Sequence, residues 1–180
     1  CHLHIPVPIP NNLVNASSQS GGHPLLEQWL NLFNIDALLL SGGNDIGEAA
    51  QRDLTENFLL EWAGKHNKPV LGICRGMQMM VVHVGGKLIK VSGHVNTRHK
   101  LQFDKGSKIK IVESVNSYHN YALEGCPDVY SVLAKSDDGN IEAIRHRELP
   151  WEAWMWHPER ESSFVISHLE RFKRLINNGK

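Results

Sequence analysis

Apolar residues recur along this chain with two different periods, and each change of period marks a change of element. Between His23 and Phe33, Leu25, Leu26, Trp29, Leu30 and Phe33 fall at helical spacing, which predicts a helix. Ala37-Leu38-Leu39-Leu40 is a short unbroken apolar run that ends in Ser41-Gly42-Gly43-Asn44-Asp45, and it reads as a buried strand followed by a turn. Asp53–His66 places Leu54, Phe58, Leu59 and Trp62 on one helical face. Lys68–Ile73 predicts the next strand and Gly76–Val84 the helix after it, stopped by Gly85-Gly86. Ile5–Ile9 reads as an edge or entry strand, because its prolines lack the N–H that a central strand needs. Strands alternating with helices imply a parallel sheet with crossovers.

The second half is patterned differently. Ser107–Val112, Val129–Lys135 and Ile141–Arg145 read as strands, with Asp137-Asp138-Gly139-Asn140 as a hairpin turn. Trp151–Trp156 alternates and reads as the last strand, its tryptophans belonging to the core. Ser162 or Ser163 would cap a final amphipathic helix reaching Asn177 and ending near Gly179. The whole is an α/β pattern with antiparallel strands in its second half. No linker or repeat divides residues 1–180, so one domain is expected.

Composition narrows the partners. At 180 residues the chain can bury a core, and 41% hydrophobic with 21% charged residues is ordinary for a soluble domain. Nineteen basic residues balance nineteen acidic ones, which leaves no electrostatic footprint for nucleic acid or an anionic membrane. The 11 histidines raise the net charge below roughly pH 6.5. No apolar run approaches the roughly 20 residues that span a bilayer, and no signal-peptide pattern opens the chain. Three cysteines, Cys1, Cys74 and Cys126, are few and odd in number, which points to a reducing compartment and a cytoplasmic location. The chain opens at Cys1 on the proline-spaced run CHLHIPVPIP, as the middle of a domain would, so a preceding segment is expected.

The strongest chemical signal is Gly72-Ile73-Cys74-Arg75-Gly76, between a predicted strand and a predicted helix. A nucleophile elbow takes the form Gly-x-nucleophile-x-Gly because its sharp turn has no room for flanking side chains. The helix that follows favours negative charge at its N-terminus and is expected to lower the thiol pKa. Cys1 and Cys126 have no such setting and read as structural. A thiol nucleophile needs a base held by a third group. His157-Pro158-Glu159 follows the last predicted strand, and residues two apart in an extended segment point the same way. Gly93–Lys100 reads as a basic polar loop, either simply solvated or holding an anionic leaving group through Arg98 with His94 or His99. Zinc held by His94, His99 and His119 ranks last, because no cysteine or acidic ligand falls at zinc spacing.

Four stretches in order carry a family resemblance: Leu40-Ser41-Gly42-Gly43-Asn44-Asp45, Gly72–Gln78, Val115-Asn116-Ser117-Tyr118-His119-Asn120 and His157-Pro158-Glu159. Together they resemble the class I glutamine amidotransferases, and among these the γ-glutamyl hydrolases of the peptidase C26 type. The resemblance implies a flavodoxin-like, mostly parallel sheet with flanking helices, with the family's first strand and helix missing here. It implies a γ-glutamyl thioester on Cys74, with His157 and Glu159 completing a triad. The backbone N–H groups of Gly43 and Arg75 would form the oxyanion hole. Gly42, Gln78, Asn116, Ser117, Tyr118 and His119 match substrate-binding positions, and Arg98 is added for an anionic leaving group. The compact, histidine-rich chain is also similar to the small γ-glutamyl-CDP-amidate hydrolases of capsule phosphoramidate synthesis. Where C26 members often read His-His-Gln, this chain has His119-Asn120-Tyr121, which leaves the leaving group open.

The expected partner is thus a small γ-glutamyl substrate, nucleotide-linked in one version. No cofactor or metal is expected, and a homodimer is left open. The competing readings are a glutaminase subunit feeding ammonia to a synthase, a γ-glutamyl-aminobutyrate hydrolase, a degenerate binding module, and a flavodoxin-like protease or deglycase.

Overall fold

In a computed structural model of the chain, the residues described are 5–14, 23–103, 113–163 and 165–177. The first half follows the expected alternation: helix α1 (Pro24–Leu32), strand β1 (Leu38–Leu40), helix α2 (Ala50–Lys65), strand β2 (Val70–Ile73) and helix α3 (Arg75–His83). Then come β3 (Leu88–Lys90), β4 (Val95–Phe103), β5 (Ser114–Tyr118), β6 (Tyr121–Leu123), β7 (Tyr130–Ser136), β8 (Ile141–His146), β9 (Trp151–Trp154) and helix α4 (Ile166–Asn177).

Seven strands form one sheet in the order β1-β2-β9-β8-β7-β4-β5, and β3 with β6 makes a separate antiparallel pair. β1, β2 and β9 run parallel, while β9-β8-β7-β4-β5 are joined antiparallel. The α/β architecture is the expected one, and among the described residues its antiparallel part is the larger. The parallel edge matters most for function, because the ends of β1, β2 and β9 lie side by side.

Core packing follows the pleat of β9. Trp151, Ala153 and Met155 face one apolar cluster with Leu26, Leu60, Met77 and Met80. Trp154 and Trp156 face the other, with Ile73 and Leu175, and their rings stack at 5.4 Å with an interplanar angle of 3°. All three expected tryptophans are therefore core. Between them Glu152 is fully buried on the α4 side, where Arg171 donates to it at 2.8 Å and Trp154 Nε1 at 2.9 Å. No described helix is long and apolar enough to cross a membrane.

Several expectations are corrected. Residues 5–10 form no strand, since prolines at 6, 8 and 10 remove the donors a ladder needs. The Ser107–Val112 strand lies outside the described residues. α2 begins at Ala50 rather than Asp53, and α4 begins at Ile166, with Ser162 and Ser163 in the bend before it. The supposed loop Gly93–Lys100 is mostly strand β4. Its buried positions, His99 and Leu101, alternate with exposed ones, and the alternation is hidden when histidine is counted as polar.

The elbow glycines are fixed by sterics. A Cβ on Gly76 would collide with the Leu40 carbonyl oxygen, and one on Gly72 would lie 2.8 Å from the Gly76 carbonyl carbon. These neighbours are backbone and cannot swing aside. Gly76→Ala is therefore expected to destabilise the fold by on the order of 3 kcal/mol, read as a lowered urea midpoint at unchanged slope.

Candidate active site

Three loops leave the parallel edge together. After β1, Arg52 of α2 donates from Nη2 to the Ser41 carbonyl at 2.7 Å and to the Gly42 carbonyl at 3.1 Å. Carbonyl and N–H of one trans peptide point in opposite directions, so the Gly43 N–H is turned away from Arg52. Gly42 packs on His157: a Cβ there would lie 2.5 Å from the ring Cε1.

After β2, Cys74 adopts φ 49° and ψ −102°, a conformation rarely used by residues with a side chain. Its N–H extends the ladder to the Trp154 carbonyl at 2.7 Å, tying the elbow to β9. Strain at this one position is the mark of an elbow that aims its side chain. The Arg75 side chain is buried and ion-paired to Asp53 and Glu56 of α2.

After β9, His157 is buried and held from both directions along its backbone. It donates its N–H to Asn116 Oδ1 at 2.9 Å, and Asn116 Nδ2 donates to the His157 carbonyl at 2.7 Å. His157 Nδ1 meets Glu159 Oε1 at 2.5 Å, so the carboxylate accepts from the ring and fixes its orientation. Burial is the largest single influence on Glu159 and would raise it, but the His157 hydrogen bond, the backbone N–H of Glu159 and the charges of His157 and Arg160 together outweigh it and hold the carboxyl below its usual range. Tyr118 packs edge-on against the His157 ring at 6.0 Å, and Arg160 lies over the Tyr118 face at 4.5 Å.

The thiol corrects an expectation. Burial pushes the Cys74 pKa up to about 11, and the hydrogen bond from the Arg75 N–H pulls it down only in part. The helix start is present, but removal from water dominates. A proton thus stays on the resting thiol at neutral pH.

A cavity of about 320 Å³ opens over Cys74, lined also by Gly43, Gln78, Tyr118 and His119, and by the acidic pair Asp45 and Glu48. It is at the small end of small-molecule sites. Of the residues singled out in the sequence, Gln78, Tyr118 and His119 do line it. Asn116 and Ser117 do not: Asn116 clamps His157, and Ser117 Oγ donates to the His94 carbonyl at 2.7 Å. Arg98 is also elsewhere, exposed and paired with Glu161 at 3.1 Å. Asp45 stands in the Leu40–Asp45 stretch without a role assigned to it, and Glu48 and the Arg52–Glu56 pair went unnoticed in the sequence; the helical i,i+4 spacing of the pair was the available signal. Among the described residues, those able to hold a metal are His94, His99, His119 and Glu142, and the acidic member, missed in the sequence, comes from β8.

The peptidase C26 family pattern matches residues 21–159. The chain belongs to the peptidase C26 family. A γ-glutamyl-CDP-amidate hydrolase of Campylobacter jejuni is 34% identical over 134 residues, covering 71% of this chain and 64% of that protein. The chain therefore spans less than two thirds of that relative's length. A glutamine-hydrolysing GMP synthase subunit of Methanothrix thermoacetophila is 29% identical over 147 residues, covering 79% of this chain and 74% of that one. A glutamine amidotransferase structure from Thermotoga maritima shares the fold, with a TM-score of 0.60 at 16% identity, over 82% of this chain and 66% of that one.

Two measurements probe this geometry. Alkylation of Cys74 by iodoacetamide, located by mass spectrometry, should accelerate steadily from pH 8 towards about 11, because the raised pKa delays the thiolate. A plateau reached by pH 7 would contradict burial as the controlling influence. Asn116→Ala, which strips both bonds from the His157 backbone, should cost about 1–3 kcal/mol of stability in urea unfolding.

Proposed function

We propose that this chain is a cysteine-dependent hydrolase of γ-glutamyl amide bonds. The observation that carries the reading is the strained Cys74 elbow at the end of β2, beside the ring-and-carboxylate pair His157–Glu159 that follows the neighbouring strand β9. Family membership and the Campylobacter jejuni relative support the same chemistry.

The mechanism follows from the protonated resting thiol. Cys74 Sγ attacks the glutamyl side-chain carbonyl carbon while its proton passes to His157, and Glu159 stabilises the imidazolium that forms. The oxyanion is met by the N–H groups of Gly43 and Arg75; one such donor is typically worth about 3 kcal/mol. The C–N bond breaks as His157 gives its proton to the departing amine, leaving a γ-glutamyl thioester. Water then attacks, His157 takes its proton, and the restored thiol releases glutamate. Asp45 and Glu48 supply negative charge suited to the α-ammonium group of a glutamyl substrate.

The leaving group we propose is a nucleotide-linked amidate, on the strength of the 34%-identical relative. The guanidinium beside such an anion would be Arg160, which lies over Tyr118 of the cavity lining, whereas Arg98 is paired with Glu161. A second reading, a glutaminase chain that feeds a partner synthase, is favoured by the likeness to the Methanothrix GMP synthase subunit.

Glutamate release from glutamine, γ-glutamyl-aminobutyrate and γ-glutamyl-CDP-amidate separates these readings. The nucleotide should turn over fastest without any partner. Cys74→Ala should abolish activity, and Glu159→Gln should lower kcat by about 10²–10⁴-fold. Turnover of glutamine alone, and only after a synthase is added, would overturn the standalone reading.

A further inference from the structure

Behind the Tyr118–Asn120 wall of the cavity lies a group of side chains that the hydrolase reading does not use. His94 precedes β4, His99 sits within it, His119 is in the turn between β5 and β6, and Glu142 is on β8. All four are buried, Glu142 completely. One ligand atom from each lies within 4.8 Å of all the others.

The unused atoms carry the argument. His94 Nδ1, His99 Nε2, His119 Nε2 and both Glu142 oxygens have no hydrogen-bond partner among the described residues. An ionised carboxylate buried without partner or counter-charge is strongly unfavourable. The nearest approaches inside the group do not relieve it. His119 Nε2 stands 3.6 Å from Glu142 Oε1, and His94 Nδ1 stands 4.0 Å from it, both beyond a hydrogen bond. Four ligands at zinc–nitrogen and zinc–oxygen bond lengths of about 2.0–2.1 Å are about 3.3 Å apart around a tetrahedron. The two approaches to Glu142, 3.6 and 4.0 Å, are near that value, and the widest pair, within 4.8 Å, must close further onto a central ion.

The outward nitrogens are arranged as a metal site requires. His94 Nε2 is bonded to Asp138 Oδ2 at 2.7 Å, and His119 Nδ1 to the Tyr121 carbonyl at 3.0 Å. Both acceptors take a proton from that nitrogen, so a neutral ring presents the lone pair of its inward nitrogen to the centre of the group. Imidazole ligands of zinc are held this way, by a carboxylate or carbonyl on the far nitrogen.

We propose that His94, His99, His119 and Glu142 bind one divalent zinc ion in a closed, four-ligand site. Three neutral imidazoles and one carboxylate suit a borderline-soft cation and exclude magnesium or calcium, which take oxygen ligands. With four protein ligands no position is left for an activated water, so the ion is structural. It ties β4, the β5–β6 turn and β8 into one unit and fixes the wall that His119 and Asn120 give to the cavity.

The test needs no substrate. The untagged chain, prepared with zinc and then dialysed, is assayed by elemental mass spectrometry, by competitive zinc titration with a chromophoric chelator, and by the visible bands of its cobalt(II) form. One zinc per chain, tetrahedral cobalt bands and a thermal midpoint raised by zinc are expected. His99→Gln should abolish stoichiometric binding. Asp138→Asn removes the outer carboxylate from a half-exposed turn but keeps an oxygen for the bonds from Ser136 and Asn140, so the chain should fold and zinc should weaken about 10–100-fold. Absence of tight zinc in the wild type would overturn the proposal. So would zinc that survives His99→Gln and disappears in Cys74→Ser, which would assign it to the thiol.

Discussion

A single buried carboxylate, Glu56, holds the two arms between which Cys74 sits. One of its oxygens accepts from Arg52 Nε at 2.7 Å and the other from the Arg75 guanidinium. Arg52 in turn fixes the peptide that leads into Gly43, while Arg75 is the residue whose N–H reaches the Cys74 sulfur. The Arg75 N–H at the thiol and the peptide before Gly43 are therefore both positioned from α2, a helix that takes no part in lining the cavity. Charges removed from water in this way are tolerated only because they are mutually paired. The arrangement is possible because Gly76 lets α3 close onto the end of β1.

The imidazole is positioned by a different route. β5 is a polar strand at the sheet edge, and its Asn116 satisfies the His157 backbone on both sides. The side chain that approaches the cavity from β5 is instead Tyr118, two residues on and on the same face of the strand. The period of two along β5 thus places both on one face, with one residue clamping the histidine and the other shaping the space around it. The same parity on β9 sends Trp151 to one core and Trp154 to the other. A slip of one residue would exchange core and site together.

Burial sets the chemistry of the thiol against its location. The helix start and the Arg75 amide favour the thiolate, yet loss of solvent outweighs both and keeps the proton in place. In the proposed mechanism proton transfer then accompanies attack, so the orientation of His157 by Glu159 and Asn116 counts for more than thiol acidity.

Residues close in sequence carried their meaning openly. The elbow Gly72–Gly76 and the His157-Pro158-Glu159 run were legible because their geometry is set by one turn and by one alternation. α1, α2, α3 and the strands β1, β2, β7, β8 and β9 followed from apolar periodicity. Tertiary structure alone decided the rest, for a uniform reason: the partners are brought together by strand pairing. β4 was hidden because one of its two buried residues is a histidine, and β5 because two of its three buried residues, Asn116 and Ser117, are satisfied by side-chain bonds rather than by apolar contact. Glu142 stands 23 positions beyond His119 in the chain, and Asn116 stands 41 before His157. No local pattern links such residues, and only the sheet order β9-β8-β7-β4-β5 makes neighbours of them.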